Sequence, residues 1–227
     1  MPRADLTDII FVLDRSSSMH CIREATIRSF NQFLQTQKEA TGVAVMTLIQ
    51  FSYESEILFE GLPIEQVPDL DQHNYVLHRG TALLDAMGQA MILRGQALAA
   101  LPEAERPGTV LFVTLTDGYE HSSQQFDIPR IHAMVTRQQE VYNWQFLFLG
   151  ANQDSIHTAS SLGIGASQAL TYDSTDPGIC SLLNLLGEKL SVMRAQIAEG
   201  KPCSPVEFNA TDRDSVIDPN RVQHRRP

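Results

Sequence analysis

Residues 9–13 form a run that has the length of a β-strand and is apolar at every position (IIFVL). A strand that faces solvent on one side alternates apolar and polar residues, so an unbroken apolar run predicts a strand covered on both faces. Such strands occur in parallel sheets that carry helices on both sides. This short segment therefore favours an open α/β sheet before the rest of the chain is considered.

The remainder of the chain alternates between predicted strands and predicted helices. We predict strands at 8–13, 43–51, 56–59, 110–115, 144–149 and 169–172, and helices at 22–40, 81–101, 127–142, 155–162 and 177–197. The short link between the second and third strands predicts an antiparallel hairpin. The predicted fold class is therefore α/β, with a doubly wound, mostly parallel six-stranded sheet, one antiparallel edge strand and helices on both faces.

Length and charge limit the organisation of the chain and its partners. The 227 residues suffice for one sizeable domain, which we place at 1–199. Residues 200–227 are polar and lack periodicity, so we predict a flexible or loosely draped tail, with a recognition peptide as the alternative. The net charge of −10 argues against nucleic acid and anionic membranes as partners and favours a basic or weakly charged protein surface.

Cysteine usage and the first residues suggest a cellular location. Cys21, Cys180 and Cys203 are far apart in the sequence, which argues against structural disulfides and against a zinc cluster. The first residues show no signal-peptide pattern, and no apolar run approaches the ~20 residues that span a bilayer. We therefore expect a cytoplasmic protein without a membrane segment.

Polar side chains follow the first predicted strand directly. Asp14, Ser16 and Ser18 alternate there, and alternate residues leaving a strand project to the same side. In open α/β sheets, ligands bind at the carboxyl ends of the strands. Oxygen donors favour Mg²⁺, Ca²⁺ or Mn²⁺. This segment alone also fits a simple turn in which Asp14 or Ser16 caps the next helix.

Two further segments favour the metal hypothesis over the turn. Thr81 follows a glycine and begins a predicted helix, and Asp117 follows the second long apolar strand and precedes a glycine. Each of these residues lies where a strand ends or a helix begins. The candidate metal residues are therefore Asp14, Ser16, Ser18, Thr81 and Asp117.

The three motifs, D-x-S-x-S, G-T and T-D-G, resemble the metal-ion-dependent adhesion site of von Willebrand factor type A domains. The resemblance extends from about residue 8 to residue 194 and is greatest to compact single-domain bacterial members. Their first motif often reads D-R-S-G-S-M, and Ser17 stands here in place of that glycine. The resemblance implies that Asp14 and Asp117 act mainly through bound water and by orienting the serines, while the hydroxyls reach the ion.

The resemblance and the neutral hydroxyls together predict a metal-dependent protein–protein interaction domain. Mg²⁺ is the expected cation, with Mn²⁺ or Ca²⁺ as alternatives, and an Asp or Glu of a partner would complete its coordination. No catalytic nucleophile or base is evident, so we expect no enzymatic activity. A metal-assisted phosphoesterase and a self-assembling structural protein remain the alternatives. Glu120, His121 and Ser122 follow the third motif and serve either partner selectivity or solvation.

Overall fold

A single six-stranded sheet organises the computed structural model, which describes residues 1–151, 154–201 and 204–217. The strand order is β3-β2-β1-β4-β5-β6, and every neighbouring pair is parallel except β2 and β3. The strands are β1 (Arg3–Asp14), β2 (Val43–Phe51), β3 (Ser55–Pro63), β4 (Pro107–Thr116), β5 (Gln145–Ala151) and β6 (Ala169–Tyr172). The predicted sheet, with its antiparallel edge strand, is confirmed.

Helices cover both faces of this sheet, as predicted. They are α1 (Arg23–Glu39), α2 (Leu83–Ala100), α3 (Ile128–Tyr142), α4 (Ser155–Ser161), α5 (Asp176–Ala198) and α6 (Ala210–Ser215). Helices α1 and α5 pack on one face, whereas α2, α3 and α4 pack on the other. No helix within the described ranges is long and apolar enough to cross a membrane.

The central strand β1 is buried on both sides, which explains its unbroken apolar run. Ile9, Phe11 and Leu13 contribute to the core beneath α1 and α5, whereas Ile10 and Val12 contribute to the core beneath α2 and α3. All five side chains are fully buried. Their burial on opposite faces holds the carboxyl end of β1 in the middle of the sheet, where the first motif begins.

Helix α2 is tied across the sheet by a buried ion pair. Arg94 donates to Oδ2 of Asp8 on β1 at 2.7 Å and to Oε1 of Glu60 on β3 at 3.1 Å. Asp8 has no exposed surface, so this arginine compensates a buried charge. The pair links α2 to both the central strand and the edge strand.

The segment after α5 packs against the body over the part that the structure describes. The prediction was a domain boundary at 199 and a flexible or loosely draped tail over 200–227; in the described part of this tail, Val206, Phe208 and Val216 are buried in the α1–α5 core. Three apolar residues in a polar segment of this length give no periodic signal, so the sequence pattern does not indicate their packing. Residues 202, 203 and 218–227, including Cys203, lie outside the described residues. Cys21 and Cys180 are free and exposed.

Candidate metal centre

The three predicted motifs meet at the carboxyl edge of the two central strands. Asp14 is the last residue of β1 and Thr116 is the last residue of β4, the strand paired beside it. Thr81 lies just before α2, after Gly80, whose φ of +89° suits a residue without a Cβ. The topology thus brings segments about a hundred residues apart in sequence to one point.

Asp14 is held beneath the surface by hydrogen bonds to its carboxylate. Its Oδ1 accepts from the Ser16 N–H at 2.6 Å, and its Oδ2 accepts from the Thr116 hydroxyl at 2.6 Å. The side chain is fully buried, and loss of hydration raises the pKa of Asp14 to about 6 despite these hydrogen bonds. The carboxylate therefore lies in a site that disfavours its charge in the absence of a cation.

The hydroxyl groups of the first motif lie between this carboxylate and that of Asp117. Ser16 Oγ and Ser18 Oγ are 2.8 Å apart, and Ser18 Oγ donates to Asp117 Oδ1 at 2.5 Å. A Cβ placed on Gly118 would lie 3.3 Å from both Ser18 Oγ and Thr81 Oγ1, which locates Thr81 beside the same cluster. The structure therefore brings all five predicted residues together.

Ser17 is accommodated without backbone strain, although it stands where similar sequences often have glycine. Asn143 is the one described residue other than glycine with a positive φ, so Ser17 does not need the left-handed conformation. Its side chain is exposed and donates to the carbonyl oxygen of His78 at 3.1 Å. A serine at this position is therefore compatible with the hydrogen bonds of the first motif.

The donor set fits a hard divalent cation. Neither Asp14 nor Asp117 has an ion-pair partner among the described residues, and partial burial also raises the pKa of Asp117. Two poorly hydrated carboxylates without a countercharge are costly, and a cation would offset that cost. The same described ranges contain no group of three or more His, Cys, Asp or Glu side chains that could hold a metal ion. The candidate set combines three hydroxyls with two carboxylates, all oxygen donors suited to Mg²⁺.

Two buried tyrosines support the ends of the central strands, and the sequence pattern did not reveal them. The Tyr75 hydroxyl donates to the carbonyl oxygen of Asp14 at 2.6 Å, and the Tyr172 hydroxyl donates to that of Thr116 at 3.4 Å. Burial raises the pKa of both phenols well above their ordinary value, so they remain donors. Tyr75 comes from a polar loop without periodicity, where no sequence signal distinguishes a buried side chain.

Further contacts stabilise the third motif. Ser174 Oγ donates to Asp117 Oδ2 at 3.4 Å. Of the predicted rim residues, Ser122 accepts a hydrogen bond from the Thr81 N–H, and the His121 N–H donates to the Thr81 carbonyl oxygen. The rim is thus bonded to the motif that carries Thr81, and it does more than contact solvent.

Solved structures with a similar fold place the architecture in a known class. Proximal thread matrix protein 1 from the mussel byssus matches in two structures with a TM-score of 0.50 or above. One has a TM-score of 0.52 at 13% identity, covering 82% of this chain and 46% of that chain. The other has a TM-score of 0.50 at 14% identity, covering 90% of this chain and 48% of that chain. The von Willebrand factor type A protein from Catenulispora acidiphila matches with a TM-score of 0.51 at 17% identity, covering 86% of this chain and 43% of that chain.

These comparisons and the strand order show that the chain has the fold of a von Willebrand factor type A domain. The chain spans just under half the length of each of these matched structures. No protein-family model and no curated protein matches the sequence. The likeness is therefore one of fold, and the role of the site has to be argued from its own residues.

Proposed function

We propose that this chain is a metal-dependent protein-interaction domain. Asp14, Ser16, Ser18, Thr81 and Asp117 hold a divalent cation, with Mg²⁺ expected and Mn²⁺ or Ca²⁺ as alternatives. An Asp or Glu side chain of a partner protein binds at this centre. The five residues are the same ones that the sequence motifs single out.

The observation that carries this proposal is the hydroxyl cluster between two carboxylates that have no ion-pair partner among the described residues. Ser16 Oγ lies 2.8 Å from Ser18 Oγ, which is bonded in turn to Asp117. Because hydroxyl ligands are neutral, a bound cation would keep positive charge and offer a Lewis-acidic position to an incoming carboxylate. The protein's own residues orient these donors: Thr116 and the Ser16 N–H fix the carboxylate of Asp14.

The charge of the chain supports a partner that is itself a protein. At a net charge of −10, the chain would attract basic surfaces and repel nucleic acid and anionic membranes. A partner with an acidic residue on an otherwise basic or weakly charged surface combines both requirements. We place this interaction in the cytoplasm.

Calorimetric titration with Mg²⁺ tests the centre itself. Replacing Ser16 and Ser18 together by alanine removes two hydroxyl donors but leaves the apolar strands untouched, so we expect a folded protein without measurable Mg²⁺ binding. Ser17→Ala is the matched control, because its exposed side chain faces the His78 carbonyl instead of the cluster. Equal Mg²⁺ affinity in the double variant and the Ser17→Ala control would show that these hydroxyls do not bind the cation.

A second experiment tests the interaction. The immobilised chain should capture partners with Mg²⁺ and release them with chelator, and the Asp14→Ala chain should capture none of these. Metal-dependent turnover of phosphoester substrates that is lost in Asp14→Ala would instead favour the phosphoesterase. Association of the chain with itself in sedimentation only when Mg²⁺ is present would favour self-assembly.

A further inference from the structure

Helix α2 begins beside the candidate centre, and the residue at its N-cap position makes no side-chain capping hydrogen bond. The first N–H groups of a helix have no partner within it, and Ala82 at the capping position provides no side-chain acceptor. Side chains of the 120–126 loop accept hydrogen bonds from two of these groups and from the Thr81 N–H, which lies just before the capping residue. The pairs are Thr81 N–H to Ser122 Oγ (3.1 Å), Leu84 N–H to Glu120 Oε2 (3.0 Å) and Asp85 N–H to Ser123 Oγ (3.0 Å).

Hydrogen bonds also run in the opposite direction, from the loop to the helix. The carboxylate of Asp85 accepts from the N–H groups of Gln124, Gln125 and Phe126, each at 2.9 Å. The His121 N–H donates to the Thr81 carbonyl oxygen at 3.3 Å. Hydrogen bonds in both directions therefore join the start of α2 to the 120–126 loop, and we expect the two segments to move as one unit.

Glu120 is at the centre of this arrangement. Its Oε1 accepts from the N–H groups of Ser122 and Ser123, both at 2.8 Å. Its Oε2 accepts from the Leu84 N–H at 3.0 Å and from the Ser123 hydroxyl at 2.8 Å. Four donors of this chain thus bond to the two oxygens, so the carboxylate of Glu120 is fixed by contacts within the protein. Its negative charge at the start of a helix is also favourable.

We propose that Glu120 is a positioning residue, which holds Thr81 at a set distance from Asp117 and thereby tunes the affinity of the centre for its cation. Thr81 lies at the helix start, and Asp117 lies three residues before Glu120 in sequence. Mg²⁺ demands near-ideal placement of its ligands, so an error in the position of one hydroxyl lowers affinity. This inference rests on the proposed function, because it assigns Glu120 a role at the same centre.

Calorimetric Mg²⁺ titration of Glu120→Gln tests the inference. Glutamine retains the size of glutamate but replaces one acceptor oxygen with an N–H₂ group that would face other donors. We expect the affinity for Mg²⁺ to fall by about tenfold, as is typical when a group that orients a metal ligand is lost. Glu54→Gln is the control for charge alone, since Glu54 is exposed in the turn whose Ser52 carbonyl binds the Ala82 N–H. Its affinity should change by less than about twofold, since exposed charges are screened.

A stability control separates positioning from general weakening of the fold. Val135→Ala removes a buried methyl pair in α3 and should lower stability without changing Mg²⁺ affinity. If Glu120→Gln does not fold, Ser123→Ala replaces it, because it removes the hydroxyl that donates to Glu120 Oε2 and accepts from the Asp85 N–H.

The outcomes distinguish this inference from the proposed function. Unchanged affinity in Glu120→Gln, or an equal loss in Glu54→Gln or Val135→Ala, overturns the positioning role while the metal centre stands. For Ser123→Ala, unchanged affinity has the same meaning. If the unaltered chain binds no divalent cation, the proposed function fails and the positioning role fails with it.

Discussion

Replacing Asp14 by asparagine should stabilise the metal-free protein at neutral pH. The carboxylate is fully buried and has no ion-pair partner among the described residues, and burial raises its pKa from the ordinary 3.8 to about 6. This difference in pKa corresponds to a destabilisation of the folded protein by about 3 kcal/mol at a pH where Asp14 is charged in both the folded and the unfolded chain. Asparagine has the same shape without the charge. It can still accept from the Ser16 N–H, and the Thr116 hydroxyl can turn to accept from its amide.

The pH dependence of this effect follows from the direction of the shift. Because the pKa of Asp14 is higher in the folded protein, the folded state binds this proton more tightly than the unfolded chain. The contribution of Asp14 to stability therefore falls as pH rises from about 4 to about 6, and the loss is complete above that range. The amide of the Asp14→Asn variant does not titrate, so the advantage of this substitution should be below about 1 kcal/mol at about pH 4 and reach about 3 kcal/mol at about pH 7.5.

Urea unfolding in chelator at both pH values measures this difference, and the low-pH pair serves as the internal control. Mg²⁺ at about a thousand times its dissociation constant should reverse the order at neutral pH, since binding at that concentration adds about 4.1 kcal/mol to the native chain alone. A variant that is less stable than the native chain at both pH values would refute the reasoning. A pH-independent difference would refute it equally.

Four further substitutions test the centre and the packing around it. Gly118→Ala places a methyl group 3.3 Å from two hydroxyls of the cluster, so Mg²⁺ affinity in calorimetry should fall with little loss of stability; unchanged affinity would contradict this. Gly88→Ala brings a Cβ to 2.6 Å from the ring of Phe126 and should cost about 1–3 kcal/mol in urea unfolding. Gly95→Ala in the same helix meets only the side-chain amide of Gln138, at an ordinary contact distance of 3.7 Å, and should stabilise by up to about 1 kcal/mol, so equal effects of the two substitutions would refute the packing argument. Arg94→Met leaves a buried aspartate unpaired and should cost about 3–5 kcal/mol, whereas a loss below about 1 kcal/mol would show that the charge is compensated otherwise.

The sheet could be predicted because its strands are buried on both faces. Strands β2 and β6 have the bounds that their apolar residues indicate. Strand β1 begins at Arg3, earlier than the predicted residue 8. Its first three residues are exposed, and the strand begins there because Arg3 pairs with Pro107 of β4 through the main chain. Side-chain patterns carry no information about such pairing. The same limit applies to α6, which is a six-residue helix held by a capping box at Asn209 and too short to show a period.

The candidate donors could also be predicted, since they follow strand ends directly, but their supports could not. Tyr75 and Glu120 reach the site from loops, and their roles depend on which main-chain groups the fold leaves without partners. A sequence shows that Glu120 is polar and near Asp117. It does not show that the start of α2 lacks a cap and lies within reach of that carboxylate.

The arrangement of charges at the sheet edge gives the most general physical argument for a cation here. The fold itself gains nothing from a buried, unpaired Asp14, because a neutral residue of the same shape would keep its main hydrogen bonds. Asp8 is a buried carboxylate that does have a countercharge: a guanidinium nitrogen of Arg94 lies 2.7 Å from its Oδ2. No such side chain faces Asp14 or Asp117 within the described ranges, and the groups beside them are hydroxyls. A cation from solution would supply the missing charge, and the centre is built from the oxygen donors that would bind it.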